Sequence, residues 1–247
     1  AKAMNEEITT VNSEKNIYWL NKYALDYPEK ITMLHFNGRS RDPRWENNKF
    51  FAGHWMYYPG TKLTNSITAT DSILQVNDAS VFSTGFGLKS AQKNDDIVMV
   101  PLDVSGNKLW NQAEQVTLVA KSNNQIKVIR GRYGTTAQNF TAGVYLAPHV
   151  VEGPWGNNNL IWTYNLSVDS PRDANNKRCL DILVDEISNW FEPTGILFAL
   201  DGIQFDIAPR YINALNGRRV DQDNNGIPDN NSEIEQSKYE QGVIEFY

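Results

Sequence analysis

The residues best suited to chemistry lie near the C-terminus, in VDQDNNGIPDNN at 220–231. Asp221, Asp223 and Asn225 alternate, Gly226 follows, and Asp229 closes the run. Hard oxygen donors at odd positions, with a glycine at the sharp turn, are what a loop wrapping Ca²⁺ requires; the Ile227 carbonyl would be a further ligand. Position twelve of such a loop is Ser232, where an EF-hand carries Glu, and Glu233 falls one place late. The spacing therefore predicts a structural Ca²⁺ loop that orders backbone, set against the plainer reading of a polar turn. A second group sits at the ends of apolar runs. ITMLHFNG (31–38) closes on His35 and Asn37, LIWTYNLS (160–167) on Tyr164 and Asn165, and GIQFD on Asp206. In parallel α/β sheets, ligands meet the strands at their C-terminal ends. Both asparagines also suit turns, where they satisfy backbone groups. Asp206 favours function more strongly, because a carboxylate after Gln204 and Phe205 is costly to bury.

Other side chains offer binding rather than catalysis. FFAGHWMYYPG (50–60) places Trp55, Tyr57 and Tyr58 where rings either stack on a ligand or fill a core. Trp155 and Trp162 are further rings of that kind. Arg39, Arg41, Asp42 and Arg44 follow the first apolar run, and Arg172 and Asp173 follow the second, as substrate contacts or loop ion pairs.

Composition narrows the classes. With 247 residues, 40% hydrophobic and 21% charged, the chain has the makeup of a globular protein. A net charge of −6 argues against nucleic acid or an anionic membrane as partner. No apolar run reaches the roughly 20 residues of a membrane helix. Cys179 is the single cysteine, on the apolar face of a helix, which excludes an intrachain disulfide and a thiolate zinc cluster. His35, His54 and His149 are too dispersed for a local zinc motif. Dinucleotide, P-loop and GxSxG fingerprints are absent.

The elements that must position these groups fall into three stretches. Residues 1–62 hold a helix over 16–27, with Ile17, Leu20, Tyr23 and Ala24 at helical spacing, and then the first apolar strand. Residues 63–150 change texture: SILQV, DIVMV, EQVTLVA, QIKVIR and GVYLAP alternate with Gly, Asn and Asp breaks, as antiparallel strands do. Residues 151–247 return to strand, amphipathic helix (179–191) and strand (196–209), an order that implies parallel pairing through a right-handed crossover. The β-rich stretch then reads as an insertion.

Taken together, LHFNGRSRDPRW, FFAGHWMYYPG, GPWGNNNLIWTYNLSVDSPRD, LDGIQFDIAP and VDQDNNGIPDNN resemble bacterial secreted TIM-barrel glycoside hydrolases. The resemblance covers the flanks and implies a barrel, an extracellular or cell-surface location and a carbohydrate substrate. It places Asp206 as the catalytic carboxylate and Asn37 and Asn165 as substrate ligands. EQVTLVAKSNNQIKVIRGRYGTTAQNFTAGVYLAP is similar to a small β module of phage and surface proteins, which implies assembly or display. The flanks total about 160 residues, short of the roughly 200–250 of a closed barrel. The expected architecture is therefore α/β: a partial TIM-barrel-like domain with an inserted all-β domain. The expected function is hydrolysis or binding of an extracellular polysaccharide, with His35, Asn37, Trp55, Tyr164, Asn165 and Arg172 as substrate contacts. The alternative is a non-catalytic surface or assembly protein, calcium-stabilised, with a protein partner or self-assembly through the β insert.

Overall fold

β-Branched and aromatic residues in short alternating runs dominate the middle of the chain, and they fold as one curled antiparallel sheet. The structure is a computed structural model that describes residues 12–44, 50–85, 93–152, 160–206, 210–212 and 218–247. The sheet has six strands: β3 (Thr61–Lys62), β4 (Ile73–Gln75), β5 (Asp96–Val100), β6 (Glu114–Ser122), β7 (Gln125–Arg132) and β8 (Tyr145–Pro148). Their spatial order is β3-β8-β5-β6-β7-β4, every pairing is antiparallel, and the sheet curls into a half-barrel. Two register shifts on β6 against β7 bend this ladder, as bulges do.

Period-two alternation decides which face each residue buries. Ile97 and Met99 of β5 join Val116, Leu118, Ile126, Val128 and Leu146 in one core. Val98 and Val100 point the other way, with Tyr145 and Ala147, into a second core. That second core also takes Trp55, Tyr57, Trp162, Tyr164, Leu183, Tyr239 and Val243 from outside the sheet. β5 is consequently buried on both faces. Each such aliphatic side chain contributes about 1.5–3 kcal/mol of transfer free energy.

Outside the sheet, the described residues include three α-helices and two short strand pairs. α1 (Asn12–Asp26) packs Ile17, Leu20, Asn21 and Ala24 toward the body. β1 (Met33–Asn37) pairs in parallel with β10 (Gly202–Asp206), Asn37 opposite Asp206. β2 (Ser40–Arg41) pairs antiparallel with β9 (Trp162–Thr163). α2 (Cys179–Phe191) begins where the Asp181 carboxylate accepts the Arg178 N–H and buries Cys179, Leu180, Leu183 and Trp190. After it, Gly195 lies so close to the Asn189 and Trp190 carbonyls that a Cβ would overlap them. α3 (Glu233–Phe246) is capped by Ser232, whose hydroxyl accepts the Glu235 N–H. Gly242 lets it approach the 166–167 backbone, since a Cβ there would overlap the Leu166 carbonyl. No described helix is long and apolar enough to cross a membrane.

The partial (β/α) TIM-barrel-like α/β domain is not formed; the described chain is mostly β. Among the described residues one parallel ladder exists, β1 with β10, and it does not extend into a barrel wall. The run at 160–167, expected as a parallel strand, forms only β9. Its backbone groups are taken by residues 39, 54, 56, 150 and 152. Trp162 donates its indole N–H to Asp96 at 3.1 Å, which fastens the segment across the antiparallel sheet. A continuous apolar run reports burial on both faces. It does so equally for a barrel strand and for a segment sandwiched beneath a second layer.

Candidate functional site

The loop at 221–229 is built by its own backbone. Asn224 and Gly226 take positive φ (59° and 91°), which curls the chain so that N–H groups point inward. Asp221 Oδ1 accepts the Asn225 N–H at 2.9 Å and Oδ2 accepts the Gly226 N–H at 2.9 Å. Asp223 accepts the Asn225 N–H at 3.0 Å and its side-chain amide at 2.8 Å. Asp229 accepts the Gln222 N–H at 2.6 Å. Asp221, Asp223 and Asp229 can each offer an oxygen, all lying within 4.8 Å of one another. Asn225 turns its Oδ1 to the Ile227 N–H at 2.7 Å.

This loop is clamped to its surroundings. The Asp221 N–H reaches the Tyr57 carbonyl at 3.0 Å, and the Tyr145 hydroxyl of β8 lies 3.4 Å from Asp221 Oδ2. Asn165, fully buried, donates to the Gln222 carbonyl at 2.8 Å. Lys108 donates to the Asn224 carbonyl at 2.5 Å. Burial, reinforced by its neighbours Asp223 and Asp229, pushes the Asp221 carboxyl up to about 7. Burial, with Asp223 and Glu235 nearby, raises Asp229 to about 6. Three hard carboxylates, two of them buried, form a donor set that suits a divalent cation with oxygen preference.

The strand-end residues separate into two environments. Asp206 and His35 flank each other at 3.8 Å, with side chains 49% and 30% exposed. Asn37 is tied down: its Oδ1 accepts the Arg39 and Ser40 N–H groups, and its amide donates to Ser40 at 2.9 Å and to Glu152 at 3.2 Å. Glu152 is itself buried, accepting the Ser40 hydroxyl at 2.7 Å and pairing with Arg39 at 3.0 Å. Tyr164 and Trp55 are fully buried and stack at 5.5 Å with 14° between planes, so both rings belong to the core. Arg172 is half exposed, donating to the Asn176 carbonyl at 2.8 Å. Trp155 lies outside the described residues, as do 207–209 at the end of the third apolar run.

The charged loop after β1 forms ion pairs: Arg39 with Glu152, Arg41 with Glu186 at 2.7 Å, and Arg44 with Asp42 at 2.5 Å. The RGRYGT segment (130–135) closes on a buried carboxylate. The Glu114 carboxylate accepts Arg130 at two points (both 2.7 Å), the Gly131 N–H at 2.9 Å and the Gln138 N–H at 3.1 Å. Arg130 spends its other donors on the Thr68, Asp71 and Gln138 carbonyls. The glycine at the turn and the arginine before it were the only sequence signal for this knot.

No family model matches the sequence, and no curated protein matches it. Among solved structures, the Gp54 tailspike of Acinetobacter baumannii bacteriophage AP22, in complex with A. baumannii capsular saccharide, overlaps 38% of this chain. The overlap has 19% identity and a TM-score of 0.25, and this chain spans 15% of that tailspike. A likeness that slight assigns this chain neither a fold nor a function.

Proposed function

We propose that this chain is a calcium-stabilised protein that binds polysaccharide without hydrolysing it. The observation that carries the cation half is the convergence of Asp221, Asp223 and Asp229 within 4.8 Å. A cation there would neutralise two buried carboxylates and brace the contacts that join Tyr57, Tyr145 and Asn165 to the start of α3. It would serve as structural metal, since the loop already offers protein oxygens on several sides.

The saccharide half rests on exposed chemistry. Asp206 with His35 offers acceptors and a donor for hydroxyl groups at the end of the parallel ladder. The outward side of α1 leaves Tyr18, Trp19 and Tyr23 about half exposed, as is Tyr27 just after it, rings of the kind that pack against sugar faces. Hydrolysis would need a second carboxylate working with Asp206. Glu152, which reaches that region through Asn37, has its oxygens committed to Arg39, Ser40 and Asn37. Affinity electrophoresis through gels containing anionic and neutral polysaccharides, with reducing-end release measured in parallel, tests this. Retardation without new reducing ends, weakened by Asp206→Asn or Trp19→Ala, is the expected result. Reducing ends formed at a rate that Asp206→Asn abolishes would overturn it in favour of a hydrolase.

A further inference from the structure

α1 is apolar on nearly every side. From Ile17 to Leu25 only Asn21 and Lys22 are polar, a pattern that belongs to a helix packed on more than one face. Here it packs on one, with Ile17, Leu20 and Ala24 turned inward. Nine of the nineteen large apolar side chains exposed among the described residues lie within 18–33 and 196–198, which singles out this end of the molecule.

Asn21 fixes what lies beside the helix. Its amide donates to the Ile196 carbonyl at 2.7 Å, and its Oδ1 accepts the Ala199 N–H at 3.2 Å. Tyr18 and Leu25 stand one helical turn to either side of Asn21, on the flank that meets 196–199. That segment runs on to Asp201, whose carboxylate accepts the Thr32 N–H at 2.7 Å and whose own N–H reaches the Thr32 carbonyl at 2.9 Å. Ile31 and Met33, two residues apart, turn to the same side at the entry of β1. Met33 lies opposite Gly202, where a Cβ would meet nothing within 4 Å. Tyr18, Leu25, Ile31, Met33, Ile196 and Phe198 thus form one strip, each residue 43–82% exposed.

We propose that this strip is a self-association surface, on which a second copy of the chain docks about a two-fold axis. The area suits it. At about 200 Å² for a side chain of this size, the six present about 600–700 Å², above the largest patch of a typical monomer and within the roughly 600–1,000 Å² that each partner of a stable interface buries. The charge suits it as well. Lys22 pairs with Asp26 at 2.6 Å and Lys30 with Glu29 at 3.8 Å, so the charges along the strip largely cancel, although the chain as a whole carries −6. Two copies meet here with little of the repulsion that their net charge imposes elsewhere. A two-fold contact requires a self-complementary surface. Lys22 and Asp26, one turn apart on α1, supply that when the two helices run antiparallel and each Lys22 faces Asp26 of the other copy.

The contact goes beyond the cation and saccharide readings and depends on neither. Trp19, Tyr23 and Tyr27 follow one another at four-residue spacing on the other flank of the helix, with the Tyr23 and Tyr27 rings 4.9 Å apart, and lie outside the strip.

Sedimentation velocity of the full chain, without saccharide and from about 1 to 100 μM, tests the proposal. The expected result is a shift from one chain mass to two as concentration rises; a monomer throughout would overturn it. Leu25→Asp and, separately, Phe198→Asp place a carboxylate that water solvates in the single chain and the contact buries in the pair. Each should raise the dissociation constant about a hundredfold, with dichroism showing the variant folded. Ile129→Asp, the same change at an exposed position of β7, should leave association intact. Association that the first two variants leave unchanged, or that Ile129→Asp abolishes equally, also contradicts the assignment. Hydroxyl-radical footprinting of the parent needs no substitution. Oxidation of Met33 and Phe198 should fall several-fold as the chain associates, and oxidation that stays constant in a dimeric sample would place the contact elsewhere and overturn the strip.

Discussion

Two groups of largely buried carboxylates in this molecule meet the same electrostatic problem differently. In the antiparallel sheet, Glu114 has Arg130, Asp95 has Arg218 at 2.9 Å, and Asp96 has Lys93 at 2.5 Å with Tyr133, Thr117 and Trp162 filling its remaining sites. In the loop, Asp221, Asp223 and Asp229 are answered by backbone N–H groups, one asparagine amide and a tyrosine hydroxyl; Lys108 gives its hydrogen bond to a carbonyl instead. Where the chain supplies its own cation, the knot is closed and structural. Where it supplies mainly dipoles, with Lys108 nearby but bonded to a carbonyl, the oxygens remain converged, an arrangement that the proposed cation would complete.

That contrast can be broken at either end. The largest effect belongs to the sheet: Glu114→Ala leaves the Arg130 guanidinium buried beside several carbonyls and should cost about 3–5 kcal/mol, read by urea unfolding. A loss below about 1 kcal/mol would mean that the knot does not organise that end of the sheet.

Next comes Asp96→Asn, which removes a charge from four donors and should cost about 1–3 kcal/mol. It should also weaken the hold on Trp162, seen as a shift in near-ultraviolet dichroism. An unchanged spectrum would detach β9 from the argument.

The pH dependence is a third effect. His149 is fully buried, stacked 3.5 Å from Trp162 and bonded to Gln115, and burial holds its pKa well below the usual imidazole value. Burial lowers His54 as well. With folded values depressed, the unfolded chain binds protons that the folded one refuses. The histidine contribution to stability is therefore complete above about pH 6.5 and falls as pH drops below it, by about 1.4 kcal/mol per unit for each histidine. Asp221 and Asp229, raised to about 7 and about 6, act in the opposite direction over the same range. His149→Gln should flatten that slope; an unaltered slope would place the effect elsewhere.

The smallest effect is in the loop without metal. Asp229→Asn keeps an oxygen for the Gln222 N–H while removing a carboxylate that burial disfavours. In chelator its stability should match the parent within about 1 kcal/mol, in contrast with Asp96→Asn. A loss as large as that in the sheet would erase the distinction between the two groups.

What the sequence revealed follows from distance along the chain. The loop was legible because its oxygens alternate within nine residues, and α2 because Leu180, Leu183 and Trp190 share one helical face. The strands between Thr61 and Pro148 announced themselves by alternation and turn residues. The long-range ion pairs were not legible, since Arg41 finds Glu186 and Arg39 finds Glu152 across more than a hundred residues. Trp55 suited a binding face or a core equally, and Tyr164 read as a substrate contact at a strand end; packing places both rings in the core. The barrel expectation failed at 160–167 for a related reason. Apolar runs specify burial, while pairing partners are chosen by contacts such as Trp162 with Asp96 that no local pattern encodes.

Calorimetric titration of calcium into chelator-stripped protein measures directly whether the loop takes a cation. The expected result is one saturable site per chain, a melting temperature that rises with calcium by mass action, and loss of both in Asp221→Asn. No heat of binding and no thermal shift, in protein whose dichroism shows it folded, would contradict it.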